Sequence, residues 1–134
     1  MVSLLLTVVL VSMTSAHPRN TDYATAYKEA MAAKKPLMVV VGAEWCPACN
    51  VLKSTTIEPM LNTGDLDDVS VALIDRDAEP ELANQLTGGE KMLPQIIVFT
   101  QTNSGQWERR KLTGYQPRQP VRNLIRRAVG RLRG

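Results

Sequence analysis

The sequence predicts an α/β fold in which a central mixed sheet of four or five strands carries helices on both faces. Three observations predict it. After residue 20, helix-like and strand-like stretches follow in the order α-β-α-β-α-β-β-α. Helices placed between strands imply parallel pairing and helices on both sides of a sheet. Three of the strand stretches are continuous apolar runs, the pattern of strands buried on both faces. The last two strands are separated by Asn103-Ser104-Gly105, a turn that adds an antiparallel edge. A chain of 134 residues, 44% hydrophobic, fits one domain and can build a core without a disulfide scaffold.

Residues 21–35 place Tyr23, Ala26, Tyr27, Ala30 and Met31 at i, i+3, i+4, i+7 and i+8. That is one apolar helix face, capped by Thr21 or Asp22 and stopped by Pro36. "PLMVVVGA" at 36–43 follows as a buried strand. "CPACNVLKSTTIEPML" reads as a helix that breaks near Pro59, and "NTGDLDD" as a loop. "VSVALI" at 69–74 is the second buried strand. Pro80 and Gly88 bracket a helix in the order that helix ends prefer. "PQIIVF" is the third strand, and "QWERRKL" the fourth, ended by Gly114. The last helix, 116–134, lines up Val121, Leu124, Ile125, Ala128, Val129 and Leu132 on one side.

The net charge of +3 is unevenly spread. Residues 107–134 carry nine Arg and Lys against one acid, Glu108, whereas residues 1–106 carry seven against twelve. The arginines Arg118, Arg122, Arg126, Arg127, Arg131 and Arg133 have two readings. They are the solvated face of a helix packed on the sheet, or a dock for an acidic partner or an anionic membrane surface. No nucleic-acid motif accompanies them and aromatics are sparse there, so no specific nucleic acid is expected. At the other end, "MVSLLLTVVLVSMTSA" contains no charged side chain. It is short for a membrane span, which needs ~20 residues, and suits the apolar region of a signal peptide cleaved after Ala16. The expectation is therefore a signal peptide (or short membrane anchor) at 1–16 and a domain at 17–134. Its location would be extracytoplasmic, periplasmic or secreted, or membrane-anchored if the leader is retained.

Both cysteines lie in "EWCPACN" at 44–50. A structural zinc site needs four ligands, and the chain adds only His17, far away in sequence, so no metal is expected. A structural disulfide between Cys46 and Cys49 would close about the shortest possible loop and stabilise little. A reactive dithiol is the reading that the position favours. Cys46 follows a strand and opens a helix, where free amide hydrogens and the helix dipole stabilise a thiolate. Pro47 at the first helical position costs no hydrogen bond. Cys49 lies one turn further on the same side, within reach of a mixed disulfide formed at Cys46. Such exchange needs no cofactor.

With these residues the sequence resembles the thioredoxin superfamily, from "KKPLMVVVGAEWCPAC" to the C-terminal helix, through "AEWCPAC", "VALIDRDAEPELANQL", "MLPQIIVF" and "KLTGY". Through "KKPLMVV" and "LKSTTIEPML" it looks most like the periplasmic thioredoxin-like modules of bacterial thiol–disulfide interchange proteins. The resemblance implies a thioredoxin-like fold and a monomeric thiol–disulfide oxidoreductase. It would reduce protein disulfides and exchange electrons with a redox partner. Cys46 would be the exposed nucleophile, Cys49 the buried resolving thiol and Trp45 the flanking aromatic. Pro94 would be a cis-proline facing the dithiol, where the alternative is a trans proline opening an edge strand. Leu93 would offer backbone hydrogen bonds to an extended substrate segment, and Gly114 would lie near the groove. Met92 adjoins Leu93 and would border it too, its flexible side chain suiting varied apolar substrates. The alternatives are a disulfide oxidase or isomerase using the same dithiol, and a thioredoxin-like binding module whose dithiol is incidental.

The sequence also departs from the family. Thioredoxins usually bury an Asp before the motif and a Lys in the next strand, at positions that look like Val40 and Leu73 here. The proton acceptor for Cys49 is then absent or supplied otherwise, with Glu44 a candidate. The dipeptide between the cysteines is Pro-Ala, with no His to stabilise the thiolate. A less stabilised thiolate favours the reducing end of the scale, ~−270 mV, over the strongly oxidising end, ~−120 mV. "DRDAEPE" at 75–81 reads as an acid-enriched helix start, since calcium loops need a different spacing. Trp107 reads as packing.

Overall fold

The structure is a computed structural model that describes residues 21–133. The expectations for residues 1–16 and for His17 lie outside the described residues. The helices are α1 (Tyr23–Ala33), α2 (Pro47–Leu52), α3 (Glu58–Thr63), α4 (Pro80–Thr87) and α5 (Arg118–Arg133). The strands are β1 (Leu37–Gly42), β2 (Ser70–Asp75), β3 (Gln95–Gln101) and β4 (Trp107–Thr113). They form one mixed sheet in the order β2-β1-β3-β4.

Alternation along the strands divides the core in two. On β1, Leu37, Val39 and Val41 pack with Ala26 and Ala30 of α1 and Ala83 and Leu86 of α4. Met38 and Val40 pack on the other face with Leu52, Ile57 and Met60, and with Val121, Leu124, Ile125 and Ala128 of α5. The predicted apolar line of α5 is thus the packed one. On α1, Tyr27 departs from the expected apolar face. It is 42% exposed and stacks on Tyr23, with ring centroids 6.2 Å apart. Trp107 is likewise half exposed, at the end of the outer strand β4.

Pairing is parallel between β1 and β2 but antiparallel between β1 and β3 and between β3 and β4. The parallel rule therefore holds for the first helical crossover and fails for the second. An eight-residue α4 spans only about 12 Å. The segment that follows returns the chain to the end of the sheet it left, so Gln95 starts β3 opposite Val41. The edge beyond β2 is held by the Thr21 carbonyl, which accepts the Leu73 N–H at 2.9 Å, and the sheet of the described residues has four strands.

The helix after the cysteines does not break at Pro59 but runs on to Thr63. Lys53–Ile57 form a π-helical turn in which the Glu58 N–H donates to the Lys53 carbonyl. The wider turn accommodates Pro59, which has no N–H to give and whose ring would strike the carbonyl one α-turn back. Thr56 in this turn is buried, and its hydroxyl donates to the Gln116 carbonyl at 2.8 Å.

Two of the six arginines at the C-terminal end anchor α5. Arg122 donates to Asp65 at 2.7 Å, and Arg131 grips the Glu108 carboxylate of β4 through Nε and Nη2. These hydrogen bonds hold both carboxyls below their ordinary values of 3.8 and 4.5. A lowered folded-state value gives stabilisation that is present above the ordinary value and lost as pH falls through the lowered one. The melting temperature of the wild type should therefore fall more on acidification below pH 3.8 than that of Arg122→Gln/Arg131→Gln, in parallel thermal melts; equal slopes would show that the pairs contribute nothing.

Candidate active site

Both cysteines sit where β1 passes into α2, and they are joined as a disulfide with Cα atoms 5.2 Å apart. Cys46 is the N-cap of α2, with extended backbone (φ −90°, ψ 108°), and its Sγ accepts the Cys49 N–H at 3.2 Å. Pro47 is the first helical residue, as its missing N–H permits. The Asn50 side chain donates to the Glu44 carbonyl at 2.9 Å, which ties the approach loop to the first turn. Gly42 leaves room for Cys49. A Cβ there would lie 3.2 Å from Cys49 Cβ and 3.4 Å from its Sγ. In this oxidised form the expected contrast between an exposed Cys46 and a buried Cys49 is absent, for they are 6% and 7% exposed. Position, not exposure, separates them: Cys46 receives the amide hydrogen at the helix start.

Leu93 packs against Ala43, Cys46 and Cys49, and the Leu93–Pro94 peptide is cis. Gly114 donates its N–H to the Pro94 carbonyl at 2.8 Å, from a backbone with φ +85°. Trp45 and Met92 are each 65% exposed. Of the residues singled out in the sequence, Leu93 packs against the cluster that holds the disulfide, Pro94 follows it through a cis peptide, and Gly114 is bonded to Pro94.

Trp45 is held from an unexpected direction. Its indole Nε1 donates to Asp77 Oδ2 at 2.7 Å. Asp77 belongs to the "DRD" stretch that reads in sequence only as an acidic helix start. Asp75 turns the chain there by accepting the Asp77 N–H at 2.8 Å. Arg76 reaches back to the segment before Pro94, donating to the Glu90 and Lys91 carbonyls at 2.8 Å each. The charged run at the end of a buried strand was the available signal, but the side-chain partners of Arg76 and Asp77 lie 14 to 32 positions away.

Beside Cys49 lies a hollow of about 230 Å³. Val40 and Leu73, paired in register across β1 and β2, line it with Ile57 and Pro94. Neither can take a proton. The carboxylates at its border are Glu44, which is exposed, and Asp75.

The Thioredoxin-like family model matches residues 18–101. A thioredoxin of Alicyclobacillus acidocaldarius is 29% identical over 95 residues, covering 71% of this chain and 83% of that protein. A thioredoxin from Thermus thermophilus has a similar structure, with a TM-score of 0.65 and 24% identity over 79% of this chain and 82% of that one. The C-terminal domain of Neisseria meningitidis DsbD in the oxidised form matches with a TM-score of 0.59 at 18% identity, over 78% and 90% of the two chains.

At Gly114, space and backbone give opposite answers. A Cβ would meet nothing within 4 Å, yet the positive φ disfavours any L side chain. Gly114→Ala should therefore cost about 1 kcal/mol in urea unfolding, with an unchanged m-value; no loss would mean that the loop relaxes to negative φ.

Proposed function

The chain belongs to the thioredoxin-like family and is a thiol–disulfide oxidoreductase, and we propose that it runs in the reducing direction on protein disulfides. The observation that carries this reading is the Cys46–Cys49 pair at the start of α2, with Trp45 exposed before it, Leu93 packed against it and the Leu93–Pro94 peptide cis.

In the reduced form the Cys46 thiolate attacks one sulfur of a substrate disulfide. A mixed disulfide forms and the other substrate sulfur leaves as a thiolate, which takes up a proton. Cys49 then loses its proton and attacks Cys46 Sγ, expelling the second substrate thiolate and closing the Cys46–Cys49 disulfide. Two electrons pass to the substrate, and a dithiol reductant must return them. The amide hydrogens at the start of α2 stabilise the Cys46 thiolate. Trp45, Met92, Leu93, Pro94 and Gly114 form the substrate-binding groove, with an extended segment of the partner lying along Leu93. Glu44, at the border of the apolar hollow, takes the proton from Cys49. The absence of a His between the cysteines supports the reducing direction over an oxidase or isomerase.

The protein works outside the cytoplasm, as the apolar first sixteen residues suggest. An acidic partner or anionic surface would meet α5 at Arg126 and Arg127, which are exposed and outside the Asp65 and Glu108 ion pairs.

Cys46→Ser should lower the rate of insulin-disulfide reduction by ~10³-fold or more. Cys49→Ser should hold substrate as a mixed disulfide, visible on non-reducing gels. Trapping by Cys46→Ser instead would exchange the two roles. Complementation in the cell that survives the double substitution would make the fold a binding module. The mass of the exported protein should correspond to a chain beginning at His17; an intact Met1 would point to an anchor or to a protein that is not exported.

A further inference from the structure

The segment between α4 and β3 is held through three successive carbonyls. Glu90 O accepts from Arg76 Nη2 at 2.8 Å, Lys91 O from Arg76 Nη1 at 2.8 Å, and Met92 O from Gln95 Nε2 at 3.0 Å. Both donors are fixed in turn. The Arg76 N–H donates to the Gly42 carbonyl at 2.9 Å, four residues before Cys46. Gln95 is fully buried at the start of β3. From β4, Lys111 pairs with the Glu90 carboxylate. The segment leaves α4 through Gly88 and Gly89, both exposed and both at positive φ, which glycine adopts without strain. Immediately after the three pinned carbonyls come Leu93 against the disulfide and the cis Pro94.

We propose that Arg76 is a positioning residue for substrate. With Gln95 it fixes the Glu90–Met92 backbone so that Met92 and Leu93 stand as a rigid ledge beside the dithiol. It thereby sets affinity for protein disulfides without entering the exchange. This inference rests on the oxidoreductase reading of the site. An arginine suits the task because its planar fork reaches two neighbouring carbonyls at once, which the single ammonium of a lysine does not reproduce. A ledge that is already ordered spares the substrate the cost of ordering it on binding.

The test compares the full chain carrying Arg76→Ala or Arg76→Lys with the wild type. The readouts are insulin-disulfide reduction with dithiothreitol as reductant, the reduction potential of Cys46–Cys49, and amide hydrogen exchange. Both variants should raise KM for insulin about tenfold while kcat stays within about twofold. The potential should not move, and exchange should accelerate at residues 88–93 while the amides of β1 and β3 keep their protection. An unchanged KM in both variants would overturn the proposal. So would a fall in kcat accompanied by lost protection throughout the sheet, which would make Arg76 a general support of the fold. If the wild type itself leaves insulin disulfides intact, the oxidoreductase reading fails. Hydrogen exchange then decides the clamp by itself: selective acceleration at 88–93 in Arg76→Ala supports it, and unchanged exchange there overturns it.

Discussion

The burial of β1 on both faces is the constraint on which the rest of the structure depends. Leu37 to Val41 are five consecutive buried residues, with strands on both sides and helices above and below. Each fully buried aliphatic side chain of this kind is worth ~1.5–3 kcal/mol relative to exposure. No arrangement that uncovers one face could hold them. The strand must therefore be central, and its carboxyl end is the first place where the chain can return to polar surroundings. The dithiol is placed at that exit. Its position follows from the core more than from any bond made by the sulfurs.

The same exit explains why the site is built largely from backbone. Cys46 caps α2, Gly42 gives its Cβ space to Cys49, the Pro94 carbonyl receives Gly114, and Arg76 and Gln95 hold carbonyls rather than side chains. The side chains that face outward, Trp45 and Met92, flank this backbone frame, and Trp45 is itself tied to Asp77. The apolar Val40–Leu73 pair extends this logic inward. With no charge to bury at these two positions beside Cys49, no desolvation penalty is incurred there.

Much of this was legible in the sequence because it is local. Continuous apolar runs located β1, β2 and β3, a turn signal located β4, helical spacing and helix-end residues located α1, α4 and α5, and Cys46-Pro47 at a strand end announced a capped helix. What was not legible depends on distant partners. The π turn at Lys53–Ile57 lets the helix pass Pro59, and its Thr56 hydroxyl bonds to Gln116, sixty positions away. The antiparallel entry of β3 depends on how far α4 carries the chain, which periodicity does not reveal. Arg76 and Asp77 looked like part of an acidic helix start because their bonds to Lys91, Glu90 and Trp45 cross the fold. Tyr27 sat at a correct helical spacing, but α1 buries only its alanine side deeply, and the ring is left to stack on Tyr23.

The outer strand β4 has a consequence for how copies of the protein meet one another. A sheet edge is a template for pairing with a second chain, and long flat apolar edges invite aggregation. Here the edge carries Arg109, Arg110 and Lys111 in succession. An antiparallel encounter of two such edges brings like charges into opposition, which is unfavourable. At the other side, the Thr21 carbonyl already occupies a place on β2. The apolar strands β1 and β3 lie between these two guarded borders. Edge-to-edge pairing of two copies is thereby disfavoured at both borders of the sheet.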